Sequence, residues 1–265
     1  MKRWIPFIKS DPLVAVIRMQ GVIASGTRGT LSDQTLAPIL ERAFSRGKPD
    51  AVALVLSSPG GSPVQSSLIG MRIRRLAKEK EVPVYAFVED VAASGGYWIA
   101  AAADEIFADA SSIIGSIGVI SSSFGAHHFI ERYGIERRVY TAGESKSQLD
   151  PFKPEKPEDV ARLKGILDDL HLNFIDHVKG RRGDKLNSET ELFNGEFWLA
   201  GRAKELGLID EIGHLKPIMQ DKFGEKVKFR GYGLRRPLWA RLGAQFAADG
   251  VAMLEERAAY AQFGL

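Results

Sequence analysis

Ala51-Val-Ala-Leu-Val-Leu-Ser-Ser-Pro-Gly-Gly61 is the stretch whose reading decides the fold. Its apolar half has strand length and no polar alternate position, so the strand is covered on both faces, as in a parallel sheet. The Pro59-Gly60-Gly61 turn then leads into a helix from about Val64 to Lys80. Upstream, Pro12 to Ile23 reads as a second buried strand, ending in a turn near Gly26. Ser32 is placed to cap a helix reaching about Ser45, whose stripe is Leu36, Ile39, Leu40 and Ala43. Downstream, Val82-Pro-Val-Tyr-Ala-Phe-Val88 is again a buried strand, followed by the turn Ser94-Gly-Gly96. A short helix through Trp98 and Ala102 and a strand at Glu105–Ala108 continue the alternation. Repetition of strand, glycine loop and helix argues an α/β fold on a largely parallel sheet.

Beyond Tyr140 the texture changes. Thr141 to Pro157 carries charges and three prolines and reads as an exposed loop. Pro157 to Gly180 is amphipathic, with Val160, Leu163, Ile166, Leu167, Leu170 and Phe174 at helical spacing. Phe197 to Gly213 reads as a shorter helix and turn. The expected organisation is an N-terminal extension (1–11), one main domain (12–230) and a C-terminal helical arm (231–265). That arm carries Leu242, Phe246, Val251, Leu254 and Ala258, fitted to pack on a neighbour or to lie on a membrane surface.

The 265 residues, 45% hydrophobic and 26% charged, can bury a core without a metal or disulfide staple. Cysteine is absent, which excludes disulfides, thiolate metal sites and a cysteine nucleophile. The net charge of +3 is small, and the basic residues are dispersed rather than gathered in a stripe, so no nucleic-acid partner is expected. Met1-Lys-Arg-Trp-Ile-Pro-Phe-Ile-Lys9 begins like a secretory leader, but Lys9 and Asp11 interrupt it before an apolar stretch forms. No later segment has the length of a membrane span. A cytoplasmic location, or one peripheral to a membrane, is the expectation.

Several short motifs carry chemistry. Ser58-Pro-Gly-Gly61 ends a buried strand, where paired glycines let a backbone N–H approach a ligand oxygen. Ala93-Ser-Gly-Gly-Tyr-Trp98 sets Ser94 at a strand-to-helix junction, where a serine is either a helix cap or an accessible nucleophile. Ile114-Gly-Ser-Ile-Gly-Val119 flanks Ser116 with glycines, and its hydroxyl is suited to orienting a neighbouring base. A serine nucleophile needs a base. Of the five histidines, His171 and His177 lie on the amphipathic helix, and His127–His128 read as strand neighbours pointing to opposite faces. A lysine whose pKa is lowered by desolvation is the alternative. Lys146, in Ala142-Gly-Glu-Ser-Lys-Ser147, stands on a loop before a helix.

In that order the four motifs resemble the signal peptide peptidase A (SppA/SohB-type) family of serine peptidases, over roughly Pro12 to Leu215. The resemblance implies Ser94 as nucleophile, Lys146 as general base, Ser116 as the serine that orients the lysine, and the Gly61 and Gly95 amides as oxyanion hole. It also implies a Clp protease/crotonase-like superhelix of βα units and no metal or organic cofactor. The substrate would be a signal-peptide-like or unfolded polypeptide. A homo-oligomer is expected, with an octamer as the size in view and the dyad open to completion across subunits. Two rivals share the fold: a crotonase-type acyl-CoA enzyme, which predicts CoA binding and no need for Ser94 or Lys146, and a non-catalytic scaffold partnering a membrane protein.

Overall fold

Strand β2 (Ala51–Ser58) is buried at every position and lies parallel to β1 (Leu13–Gln20) on one side and β3 (Val84–Ala93) on the other. The computed structural model describes residues 11–25, 30–143, 145–233 and 257–265. The turn expected near Gly26, the first ten residues and most of the expected C-terminal arm, including Leu242, Phe246, Val251 and Leu254, lie outside the described residues.

Around β2 the strands run in the order β6 (Phe197–Leu199), β5 (Ile113–Gly115), β3, β2, β1, β8 (Lys228–Tyr232), with β4 (Glu105–Ala108) pairing β3 and β7 (Glu211–Ile212). Among the described residues every pairing is parallel except that of β5 with β6. Strand β3 branches. Its first half pairs with β4 (Glu105–Ala108), while Val91–Ala93 pair with β5. The break falls at Glu89 and Asp90: Leu56 faces Val88, whereas Ser58 faces Ala92. Arg18 holds Glu89 through two hydrogen bonds of 2.9 and 3.0 Å, and the Ser57 hydroxyl donates to Asp90 at 3.0 Å. Such a bulge bends the strand and redirects the chain beyond it; here that chain carries Ser94.

Helix α1 (Asp33–Ser45) begins as expected at Ser32, whose hydroxyl accepts from the Thr35 amide while the Thr35 hydroxyl accepts from the Ser32 amide. It packs on β1 and on α2 (Pro63–Lys80), and α2 packs on α3 (Gly95–Ala101). From α7 (Leu215–Phe223), Leu215, Ile218, Met219 and Phe223 cover Val14, Val16, Ala53 and Phe87. The alternate residues Ala15, Ile17, Val52 and Leu54 are fully buried too, so the sheet is covered on both faces, as the unbroken apolar runs require.

Three expectations are corrected. Phe197 to Gly213 is a strand (β6), one short helix α6 (Ala200–Glu205) and a second strand β7 (Glu211–Ile212), because each short run pairs with a distant edge that periodicity does not reveal. His127 and His128 open the helix α4 (His127–Arg132), with ring centroids 3.9 Å apart, rather than pointing to opposite faces of a strand. Gly231 and Tyr232 are the end of β8 (Lys228–Tyr232), in register with Val16 and Ile17 of β1.

The chain divides into two compact units, residues 118–174 and the remainder. The smaller unit contains α4 and the first part of α5 (Pro157–Arg182). Within it Arg162 donates to Gln148 at 2.8 Å and Arg137 to Asp150 at 3.1 Å, tying down the turn between residues 145 and 150.

In the larger unit the end of α5 is clamped by a buried ion pair. Arg182, 4% exposed, donates to the Gly207 carbonyl at 2.9 Å and to Asp210 at 2.7 Å. Asp210 also accepts from Lys185 at 2.6 Å and from the Ile106 amide at 2.8 Å. Burial pushes the Asp210 carboxyl up, but the hydrogen bonds from Arg182 and Lys185 outweigh it and hold it below the usual carboxylate range. A depressed folded value contributes stability above the unfolded pKa, and that stability is lost as pH falls through the folded one. Asp210→Asn strands the Arg182 charge and is expected to cost about 3 kcal/mol at pH 7. That corresponds to a fall in Tm of roughly 6–12 °C for a chain of this size. Thermal unfolding at pH 7 and pH 3 checks it: the gap between the proteins should narrow at the lower pH, and equal Tm values at pH 7 would remove the clamp's role.

Candidate active site

The two glycine turns meet. Ser58-Pro-Gly-Gly61 leaves β2 and Ser94-Gly-Gly96 leaves β3 at the same end of adjacent parallel strands. A Cβ on Gly60 would stand 2.8 Å from the Ser94 Cβ and 2.9 Å from the Gly95 nitrogen; on Gly96 it would stand 2.4 Å from the Ser58 carbonyl oxygen. The glycines are therefore required for contact of backbone on backbone, and Gly60 and Gly61 additionally have φ of +103° and +138°. Gly95 is hemmed in by side chains instead, its Cβ position lying 2.3 Å from the Ser66 hydroxyl in the first turn of α2 and 3.2 Å from the Ile23 Cδ1.

Ile23, which the sequence did not single out, fastens this loop. Its amide donates to the Gly60 carbonyl at 2.8 Å, and its carbonyl accepts from the Ser62 amide at 2.7 Å. The Gly61 amide lies between these bonds and takes part in neither. The Gly95 amide, first in α3, belongs to the helical turn whose N–H groups have no partner within the helix. Among the described residues neither amide is seen donating to a side chain.

Ser94 sits at φ 50° and ψ −123°, a conformation that costs a non-glycine residue on the order of 1–3 kcal/mol. Neighbouring bonds hold it there: its amide donates to the Gly115 carbonyl at 2.9 Å, and its carbonyl accepts from the Trp98 amide at 3.0 Å. The Ser94 side chain does not cap α3, so the reading of this serine as a helix cap fails. The residue is half-buried between buried neighbours.

The Tyr-Trp pair of the motif anchors α3. The Tyr97 hydroxyl, fully buried, donates to the Leu208 carbonyl at 2.8 Å, and burial pushes its pKa well up. Trp98 stacks on His177 at 4.7 Å, and His177 Nε2 lies 2.9 Å from the Trp98 carbonyl oxygen. Burial lowers the His177 pKa, so this histidine packs as a neutral ring.

Ser116 enters through β5. Gly115, whose carbonyl accepts from Ser94, precedes it, and the Ser116 amide donates to the Glu196 carbonyl at 2.7 Å. Ser116 is half-buried with φ of +52°. Thus Ser94, Ser116, Gly61 and Gly95 belong to one sheet edge in the larger unit. Lys146 belongs to the smaller unit, on the turn between residues 145 and 149, where it is exposed. Glu144 of the same motif lies outside the described residues. Among the described residues no group of three or more His, Asp or Glu side chains is arranged to hold a metal ion, and no helix is long and apolar enough to cross a membrane.

Known proteins resemble this chain over most or all of its length. It is 47% identical to a protein named Na(+)/H(+) antiporter NhaA from Brucella abortus (strain 2308), over 100% of this chain and 39% of that protein. It is 34% identical to Protease 4 of Haemophilus influenzae over 76% of this chain and 32% of that protein. To the chloroplastic serine protease SPPA of Arabidopsis thaliana it is 32% identical, over 76% of this chain and 31% of that protein. The chain thus spans well under half the length of each of these relatives. Among solved structures, a mutant of the 1510-N membrane-bound stomatin-specific protease superposes with a TM-score of 0.51 at 18% identity, covering 86% of this chain and 100% of that one. That likeness carries the fold alone, the Clp protease-like one. The model of peptidase family S49 matches residues 76–226, more than half of the chain and a stretch holding Ser94, Ser116 and Lys146, and the chain belongs to that family.

Proposed function

We propose that this chain is a serine endopeptidase acting through a Ser94–Lys146 dyad on signal-peptide-like or unfolded polypeptides. The observation that carries the reading is the Ser94 backbone, held at φ 50° and ψ −123° with its hydroxyl not spent on capping α3 and with Gly60 pressed against it. In the proposed reaction neutral Lys146 Nζ takes the Ser94 Oγ proton as Oγ bonds to the scissile carbonyl carbon. The resulting oxyanion accepts from the Gly61 and Gly95 amides. Collapse breaks the C–N bond, and the lysine returns the proton to the leaving amine. A water, deprotonated by the same lysine, then releases the acyl group from Ser94. Ser116 is assigned the task of orienting Lys146 Nζ.

A lysine acts as a base near neutral pH only when it is desolvated. Lys146 is exposed in the isolated chain, so the mechanism requires a second body to cover it. A neighbouring subunit of a homo-oligomer, an octamer in the simplest case, fills that requirement, with the polypeptide substrate closing the site. Peripheral contact with a membrane is compatible with the same assembly.

A fluorophosphonate probe, which forms a covalent bond with an activated serine oxygen, tests the reading. One label per chain is expected, mapped by mass spectrometry to Ser94, with a rate that rises as the base deprotonates and falls steeply in Lys146→Ala. Labelling at another serine, or equal labelling in Lys146→Ala, would overturn the dyad. Binding of CoA without labelling would favour the acyl-CoA reading instead.

A further inference from the structure

Helix α3 starts at the proposed oxyanion donor Gly95 and ends in caps supplied by two other helices. In a helix of 7 residues most backbone groups lie in a terminal turn, so whatever meets its last carbonyls fixes where it lies. The Ala102 amide, which in a regular α-helix would reach the Trp98 carbonyl, bonds to the Ile99 carbonyl at 3.1 Å, and the Ala103 amide bonds to that of Ala100 at 3.0 Å. His177 meets the Trp98 carbonyl, with Nε2 at 2.9 Å. Arg181 donates from Nε to the Ala101 carbonyl at 3.1 Å and from Nη2 to the Ala103 carbonyl at 2.9 Å. Arg74 of α2 donates to the Ala102 carbonyl at 3.1 Å, and Asp104 accepts from Arg74 at 2.8 Å and from Arg181 at 3.2 Å.

His177 and Arg181 stand one turn apart on α5, in the part of it that belongs to the larger unit, and so face α3 together. A carbonyl only accepts, so His177 Nε2 carries the hydrogen. The imidazole lies flat against the Trp98 indole, with planes 10° apart. On the α2 side, a Cβ on Gly70 would stand 3.4 Å from Trp98 Cδ1, so the indole is closed in there too. Trp98 in turn donates through its amide to the Ser94 carbonyl at 3.0 Å. One residue thus links the backbone of the candidate nucleophile to a side chain of α5. Packing alone would be served by any flat ring at position 177, whereas here a ring N–H is aimed at a carbonyl that its own helix has released.

We propose that His177 and Arg181 are positioning residues: by holding the end of α3, they keep Ser94 and the Gly95 amide at its start in the register that the reaction needs. The proposal rests on the Ser94 reading above and adds to it two residues that touch no reacting atom. Displacing a catalytic group by about 1 Å costs on the order of 10²-fold in rate, and a displacement of that kind acts on the chemical step rather than on substrate affinity.

Three variants test it, with an internally quenched peptide as substrate and fluorophosphonate labelling of Ser94 as the second readout. His177→Phe keeps the stack and removes the donor; kcat and the labelling rate are expected to fall by about 10–100-fold, with KM within about twofold of wild type. His177→Gln restores an N–H donor without the imidazole, and is expected to return both rates to within about threefold of wild type. Arg181→Lys keeps the charge but gives up the fork across two carbonyls, and kcat is expected to fall by about 3–10-fold. The Arg181 side chain is partly exposed, so where His177→Phe fails to fold, Arg181→Lys decides alone. Wild-type kcat and labelling in the folded variants would overturn the proposal and leave the two residues a purely structural role. A fall in His177→Gln equal to that in His177→Phe, or a change confined to KM, would overturn it as well. Absence of Ser94 labelling in the wild-type protein would instead remove the peptidase reading, and this inference with it.

Discussion

Casein hydrolysis by Ser94→Ala is expected to fall by at least about 10⁴-fold, with Lys146→Ala falling nearly as far and the double variant no further. A nucleophile and its base act as a unit, so removing either forfeits most of what removing both forfeits. The residue of activity would come from the oxyanion donors and from binding, which accelerate hydrolysis over water by roughly 10³–10⁴ without the dyad. Neither substitution should disturb the fold. Ser94 makes its structural bonds through the backbone, and Lys146 is exposed on a turn. Circular dichroism and the elution volume of each variant check that assumption. Cleavage at the wild-type rate by an assembled Ser94→Ala protein would mean that another serine, or another protein, does the work. Mixing the two single variants adds a further reading: recovered activity would show that serine and lysine come from different chains.

The second large effect is expected at Gly61. An added Cβ would stand 2.1 Å from the Ile23 carbonyl oxygen, and the backbone there has a φ of +138°. Both partners in that collision are main chain, so no rotamer change relieves it. The loop must move, and with it the amide assigned to the oxyanion. Loss of one such donor typically costs about 10²–10³ in rate. Gly61→Ala is therefore expected to lose at least that much activity and to unfold at a lower temperature, since strain of this kind costs on the order of 1–3 kcal/mol. Gly165→Ala is the matched control: it lies within α5, and beyond its chain neighbours and the helix's own backbone nothing stands within 4 Å of its added Cβ. That change should leave activity unaltered and stability unchanged or raised by about 0.5–1 kcal/mol. Equal behaviour of the two variants in activity and melting would show that the Ser58–Gly61 loop tolerates displacement, and the oxyanion assignment to Gly61 would fall.

Much of the site was legible in the residues alone. The Ser58-Pro-Gly-Gly61 and Ser94-Gly-Gly96 turns stand where sustained apolar runs end, and a run with no polar alternate position has few alternatives to a covered parallel strand. Ser32 capped its helix as expected, because an N-cap acts over three residues and needs nothing remote. The order of the four motifs also led to the family that the match over residues 76–226 establishes.

Other features lay beyond any local reading. Ile23 is an ordinary apolar residue in sequence, yet it bonds to Gly60 and Ser62 across nearly forty positions. The Glu89–Asp90 bulge that redirects β3 appears only once Leu56 and Ser58 take partners four residues apart. Phe197–Leu199 and Glu211–Ile212 are too short to carry a period, so pairing with β5 and β4 alone makes them strands. Two adjacent histidines carry no periodicity, so nothing local to His127 and His128 separates a strand from the helix they open.

Local patterning was therefore enough for the alternation of buried strands and glycine turns and for the capping of α1, whereas the choice of Ser94 as candidate nucleophile came from the resemblance of the ordered motifs. The first two depend on backbone freedom and apolar spacing within about ten residues. Assembly of the sheet was needed to make the two glycine turns abut and to hold Ser94 in a strained conformation with its side chain uncommitted to the helix. Those outcomes require backbone groups far apart in the chain to satisfy one another's hydrogen bonds, and that complementarity exists only once the sheet has formed.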